Sequence, residues 1–244
     1  MIGQAEGALL AMFAGLYLYD SSLLFSSNEA ALLRRRNGTW FAGFGSNTTT
    51  LRGKEPFVPN PLLSIRPIYR LAWRIEKPDS GFVSSWEHKA DELKRFVPLV
   101  WILFALAFGA LPWVVIVGAG DLFVLSTFVL IYLNVIAIIL LLWLRRRTLE
   151  VTDEQFAWMA FDFLICPPFA LNVIRRLSLL TPVSEDFVNA AERLLGPSDW
   201  RLTRGELIAR LDEEIGGEAE DSPRSVELKV RRSLLAAEEG NVTV

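Results

Sequence analysis

Asp162 is the side chain whose setting most invites chemistry. It sits between Phe161 and Phe163 in the apolar run Phe156 to Cys166. A carboxylate held among apolar neighbours must protonate, find a partner or serve a function. Two other polar groups have comparable settings: Asp20 at the end of the first apolar stretch and Asn134 near the middle of the third. Asp162, Asp20 and Asn134 form the candidate polar site. Pairing with Arg175, Arg176 or a loop arginine would instead make Asp162 part of a structural ion pair. Acid/base chemistry needs two groups within reach of one substrate, and nothing in the linear spacing brings Asp20 to Asp162.

One histidine and one cysteine exclude an H-E-x-x-H zinc site, a cysteine cluster and an intrachain disulfide. His88 lies among Glu87, Lys89, Asp91 and Glu92 and reads as a solvated residue of a charged helix. No catalytic, metal-binding or cofactor-binding residue is expected, and no cofactor. Basic residues do not alternate with aromatics in a stripe, so nucleic acid is not an expected partner. Arg34, Arg35, Arg36, Arg145, Arg146 and Arg147 flank apolar segments. That placement suits guanidinium contacts with anionic lipid headgroups, with membrane lipid as the partner.

The elements that must position these groups are organised around two uncharged runs, Val97 to Val117 and Leu122 to Leu144, joined by Gly118-Ala119-Gly120-Asp121. At about 1.5 Å per residue they reach roughly 31 to 35 Å, enough to cross a hydrocarbon core. They read as a transmembrane helical hairpin. The chain has 244 residues, 52% of them hydrophobic, and a formal charge of -3, which fits one small membrane protein. Residues 1 to 144 carry 12 Lys+Arg against 10 Asp+Glu, and the rest 13 against 18, so the acidity belongs to the tail. All 12 basic residues of the first part lie between Arg34 and Arg95, none lies in the hairpin turn, and Arg145 to Arg147 follow the hairpin. The positive-inside rule therefore puts loop and tail in the cytoplasm and the turn outside.

The first apolar stretch, Gly7 to Phe25, lacks the basic lead of a secretory signal. Its uncharged part, Gly7 to Tyr19, has re-entrant length; counted from Ile2, or through Asp20 to Phe25, it is long enough to span. Gly7, Ala11 and Gly15 make a small-residue seam that could meet Ala105 and Gly109. In the loop, Thr39 to Phe44 and Thr48 to Arg52, separated by Gly45-Ser46-Asn47, predict a β-hairpin. Pro56, Pro59, Pro61 and Pro67 predict an extended strap over Glu55 to Arg66. Ile68, Leu71, Trp73 and Ile75, interleaved with Arg66, Arg70, Arg74 and Lys77, suit docking at the bilayer interface. Ser84-Ser85-Trp86-Glu87 opens an amphipathic helix toward Arg95, and Pro112 implies a kink or early stop in the second span.

Thr152-Asp153-Glu154-Gln155 is a capping box opening the run that holds Asp162. Pro167-Pro168 breaks that run, and Phe169 to Leu180 resumes it. The unit is expected to dip into or lie on the inner interface. In the tail, Ser184 should cap a helix through Leu195 and Thr203 to Glu206 should open another with Leu207, Ile208, Leu211 and Ile215 inward. A last helix from Ser225 should present Val226, Val230 and Leu234 on one stripe.

The expected fold is an all-α integral membrane protein: a transmembrane hairpin plus an N-terminal membrane helix, a small β-hairpin in the cytoplasmic loop and a helical cytoplasmic tail. Its segments are 1–33 (membrane helix), 34–95 (basic loop), 96–147 (hairpin), 148–181 (broken interfacial or re-entrant helix) and 182–244 (acidic tail). The expected function is a noncatalytic anchor or assembly subunit of a bacterial inner membrane, C-terminus cytoplasmic, binding protein partners through loop and tail or forming a homo-oligomer. The alternatives are a membrane enzyme acting on a lipid or lipid-linked substrate and an oligomeric channel or transport subunit. Convergence of Asp20, Asp162 and a basic group in one pocket open to the inner leaflet would favour the enzyme; symmetric packing of the Asn134 face would favour transport.

Overall fold

The computed structural model describes residues 4–35, 37–46, 49–58, 65–73, 86–181, 183, 185–219 and 222–237. The expectations placed on Arg36, Asn47, Thr48, Pro59, Pro61, Arg74, Ile75, Lys77, Ser84, Ser85 and Ser184 lie outside these residues. The chain is mostly helical, with a small sheet region and two helices long and apolar enough to cross a membrane. Contacts divide it into two units, one drawn from residues 1–23, 57–69 and 85–182, the other from 24–56, 70–84 and 183–244.

The first unit begins with α1 (Gln4–Ser21). Its small-residue seam does not form: Gly15 and Gly109 have nothing within 4 Å of an added Cβ. Larger side chains make the contact instead, the Tyr17 ring lying 5.6 Å from that of Phe108. A long helix follows from Trp86 to Val117, starting as α2 (Trp86–Leu93) and tightening into a 3-10 turn at Lys94–Phe96 before α3 (Val97–Phe104). A π-helical stretch, Ala105–Ala110, then leads into α4 (Leu111–Val117). Pro112 accounts for that stretch: it has no N–H to donate, and its ring would strike the carbonyl one turn back in a regular helix. The widened turn just ahead of it absorbs both defects. Gly118 (φ +64) and Gly120 (φ +94) take left-handed conformations that reverse the chain, and α5 (Asp121–Arg145) returns.

The expected capping box opens α6 (Asp153–Ile165): Gln155 N–H donates to Thr152 Oγ1 and the Gln155 side chain answers the Thr152 N–H. The Pro167-Pro168 break becomes a 3-10 segment, Pro167–Asn172, and α7 (Val173–Leu180) resumes the run. One apolar core binds the unit, with Val100 and Leu103 from α3, Val135, Ile138 and Leu142 from α5, Phe163 from α6 and Ile174 from α7.

In the second unit the β-hairpin is not the expected one. Trp40–Phe44 pairs with Glu29–Arg34, from Ala30 opposite Phe44 to Arg34 opposite Trp40; residues 51–54 form only an isolated bridge, Leu51 to Lys54. In chain order the strands are β1 (Leu23–Phe25), β2 (Glu29–Arg34), β3 (Trp40–Phe44), β4 (Glu55–Phe57) and β5 (Ile68–Ala72). The three-stranded sheet runs β3-β2-β5, and β1 pairs with β4. Strand β5 and the residue after it overturn the docking expectation. Ile68, Leu71 and Trp73 are buried in protein, and Trp73 stacks near Phe44 and Phe187.

The helices of this unit are α8 (Phe187–Leu194), α9 (Pro197–Gly217) and α10 (Pro223–Ala237). Asp186 caps α8, its carboxylate accepting from the Val188 N–H at 2.9 Å. Thr203 starts no helix; it lies inside α9, its hydroxyl donating back to the Asp199 carbonyl, and Pro197 takes the first turn instead. The expected stripe on α10 is also reversed. Ser225, Leu228, Arg231 and Leu235 are buried, whereas Val226, Val230 and Leu234 face outward.

Candidate functional site

The chemistry-bearing residues meet in the first unit, where three elements converge. Asp20 and Ser21 come from the last turn of α1, Asp162 from α6, and Asn172, Arg175 and Arg176 from the break and the start of α7. Arg176 is the bridge: Nη2 donates to Asp20 Oδ1 at 2.8 Å and Nη1 to Asp162 Oδ2 at 2.7 Å. Its guanidinium also lies over Phe169 and Phe163, at 5.1 and 5.7 Å from the ring centres. Asp20 is the hub. It accepts from Asn172 Nδ2 at 2.6 Å as well, and Arg175 Nη2 stands 3.6 Å away.

Two carboxylates and two guanidiniums make the cluster neutral. The burial is uneven, with side-chain exposures of 3% for Arg175, 15% for Asp20, 20% for Arg176 and 41% for Asp162. Burial would depress the Arg176 pKa, but Asp20 and Asp162 together outweigh it and the net shift is upward. For Arg175 burial dominates, and the pKa falls despite Asp20. Its Nε has no hydrogen-bond partner. Cys166 lies in the same field; burial is the largest contribution, and its thiol pKa is raised.

Asp20 and Asp162 are therefore brought together, and Asn134 is not part of their hydrogen-bond network. Asn134 is buried on α5, and its Oδ1 has no hydrogen-bond partner. Ser126 and Thr127 donate to the carbonyls of Leu122 and Phe123 in their own helix. His88 is exposed on α2.

The flanking arginines mostly have protein contacts. Arg145 pairs with Glu92, and Arg146 pairs with Asp153 while covering the Trp143 ring at 3.7 Å. Arg147 is exposed. Arg34 donates to the Gly38 carbonyl, and Arg35 pairs with Asp199.

Arg175 and Arg176 entered the sequence reading only as alternative partners of Asp162, and Asn172 and Ser21 escaped it as members of the site. Their signal was faint: Asn172 is one polar residue in the apolar stretch Pro167 to Ile174. In the second unit, a cavity of about 270 Å³ is lined by Ser27, Thr50, Glu55, Arg210, Glu213 and Glu214. Arg210 is tied down there by Glu55, Glu206 and the Gly45 carbonyl. Among the described residues, no group of three or more His, Cys, Asp or Glu side chains could hold a metal ion.

Fold and site thus define a mostly helical protein with two apolar helices of membrane-crossing length and a neutral ionic cluster tying α1, α6 and α7 together. No protein-family model, curated protein or solved structure matches the chain.

Proposed function

We propose that the chain is a noncatalytic anchor or assembly subunit of a bacterial inner membrane, with its C-terminus in the cytoplasm. Its hairpin crosses the bilayer, and its second unit binds a protein partner. Only 22% and 28% of the most apolar windows of the two long helices are buried. Trp113, Leu122, Phe123, Leu133 and Leu144 face outward, which supports a bilayer-crossing hairpin over a pair of buried core helices. Hydrocarbon is the solvent that suits such a surface.

The observation that carries the partner-binding part is the outward stripe on α10. Val226 and Val230 are each 54% exposed and Leu234 is 50% exposed on a helix that already packs its other face. An apolar stripe at i, i+4 and i+8 is the form in which a helix presents anchors to another protein. The test is purification of the intact protein from native membrane in mild detergent. A stoichiometric partner should be lost with Val230→Glu plus Leu234→Glu, changes that leave the Leu228 and Leu235 face intact. A monomer in both forms would refute the reading.

The enzyme reading has one observation in its favour, the convergence of Asp20, Asp162 and Arg176. Against it, both carboxylates accept hydrogen bonds from Arg176, which favours their ionised form, whereas acid/base chemistry needs a carboxyl that can give or take a proton at substrate.

A further inference from the structure

We propose that α6 lies half-inserted in the cytoplasmic leaflet, with the face formed by Trp158, Phe161, Leu164 and Ile165 against the acyl chains. The inference rests on the hairpin crossing the membrane. The apolar side chains of α6 point in two directions. Met159 and Phe163 enter the unit's core, and Phe156 stacks on Trp143 at 5.2 Å. Trp158, Phe161, Leu164 and Ile165 are 63%, 55%, 45% and 65% exposed. At 100° per residue these four, with Ala157, fall within one third of the helix circumference, and the only charge on that arc is Glu154 in the first turn.

The exposed apolar area is on the order of 450 Å², from the sizes of these side chains, as large as the largest patches of soluble monomers. Placement selects lipid as the occupant. Helix α6 starts eight residues after Arg145, which closes the second long helix, and Arg146 pairs with Asp153 at its first residue. The N-terminus of α6 is thereby held at the level of the basic boundary. Its 13 residues are too short to cross the bilayer. An aromatic-rich face on a short helix at that level suits the boundary between headgroups and acyl chains. The exposed Arg147 stands in the turn leading to α6, where anionic headgroups would meet it.

The test uses full-length protein carrying Cys166→Ser, reconstituted in phosphatidylethanolamine and phosphatidylglycerol vesicles. Single cysteines replace Phe161, Ile165, Glu154 or Ile136, the last an exposed hairpin position, and each is nitroxide-labelled. Collisions with oxygen, which enters hydrocarbon, are compared with those of a water-soluble nickel chelate. Labels at 161 and 165 should match 136, with oxygen-to-nickel ratios several-fold above that at 154. If 136 reads as lipid but 161 and 165 read as water, or are shielded from both reagents by protein, the inference fails and the hairpin reading stands. If 136 itself reads as water, the membrane reading falls and takes the inference with it. Should Ile165→Cys fail to reconstitute, Trp158→Cys reports on the same face.

Discussion

Replacing Asp20 by Asn keeps the shape of the hub and removes its charge. The loss falls mainly on Arg175, which is 97% buried by its 3% side-chain exposure and has Asp20 as its carboxylate neighbour at 3.6 Å. Leaving a buried cation without its counter-charge costs about 3–5 kcal/mol. Arg176 and Asn172 donate to different oxygens of Asp20, and the amide keeps one of the two as an acceptor, so part of the network survives and the lower end applies, about 3 kcal/mol. Asp162→Asn is the internal control. That carboxylate is 41% exposed, its pair is worth about 0–1 kcal/mol, and water takes over most of what Arg176 gave it. For a chain of this size about 1 kcal/mol corresponds to about 2–4 °C. Asp20→Asn should lower the melting temperature by about 6–12 °C, and Asp162→Asn by no more than about 4 °C. The assay is thermal unfolding in one mild detergent at one scan rate, followed by loss of the monodisperse peak. Equal losses, or a larger one at Asp162, would refute the assignment of Asp20 as the hub.

Two further outcomes are expected. Glu29 accepts from Arg70 and from the Ser26 N–H; burial alone would raise its pKa, but these contacts more than reverse that, and it lies below its ordinary value of 4.5. Below that value the unfolded chain binds the extra proton, so this contribution is complete above pH 4.5 and is lost as pH falls through the folded-state value. Glu29→Gln should therefore flatten the acid limb of the stability profile; an unchanged limb would count against the Arg70 pair. Topology is best read from single cysteines in a Cys166→Ser background at Ala119 and Leu51, both exposed. Gly120 requires a positive φ and Gly45 has the Glu55 side chain against its Cα, so neither accepts a cysteine without strain. An impermeant maleimide applied to intact spheroplasts should label 119 and spare 51; the reverse pattern would invert the proposed orientation.

How much was legible depends on the range of the deciding interaction. The capping box at Thr152 and Gln155 and the break at Pro167-Pro168 were read correctly because they act within a few residues. Strand β2 was not, because its Ala30-Ala31-Leu32-Leu33 core shows no alternation. As the middle strand of its sheet, with all four of these residues buried, it resembles a buried helix by pattern alone. Helix α10 offered two apolar sets at helical spacing. The burial of Arg231, which donates to the fully buried Asp186, selects Leu228 and Leu235, and no pattern within α10 contains that information.

By itself, the sequence determined the two long uncharged runs, the tight glycine turn between them and the helix break at Pro167-Pro168. Length, charge and missing N–H groups act on a segment regardless of what surrounds it. Tertiary structure alone decided that Asp20 and Asp162 share one arginine, that β3 pairs backwards with β2, and which face of α10 is covered. Each of those outcomes depends on which partner arrives from a distant part of the chain. A carboxylate in an apolar run announces that it needs a partner and the sequence offers several arginines; the fold selects Arg176.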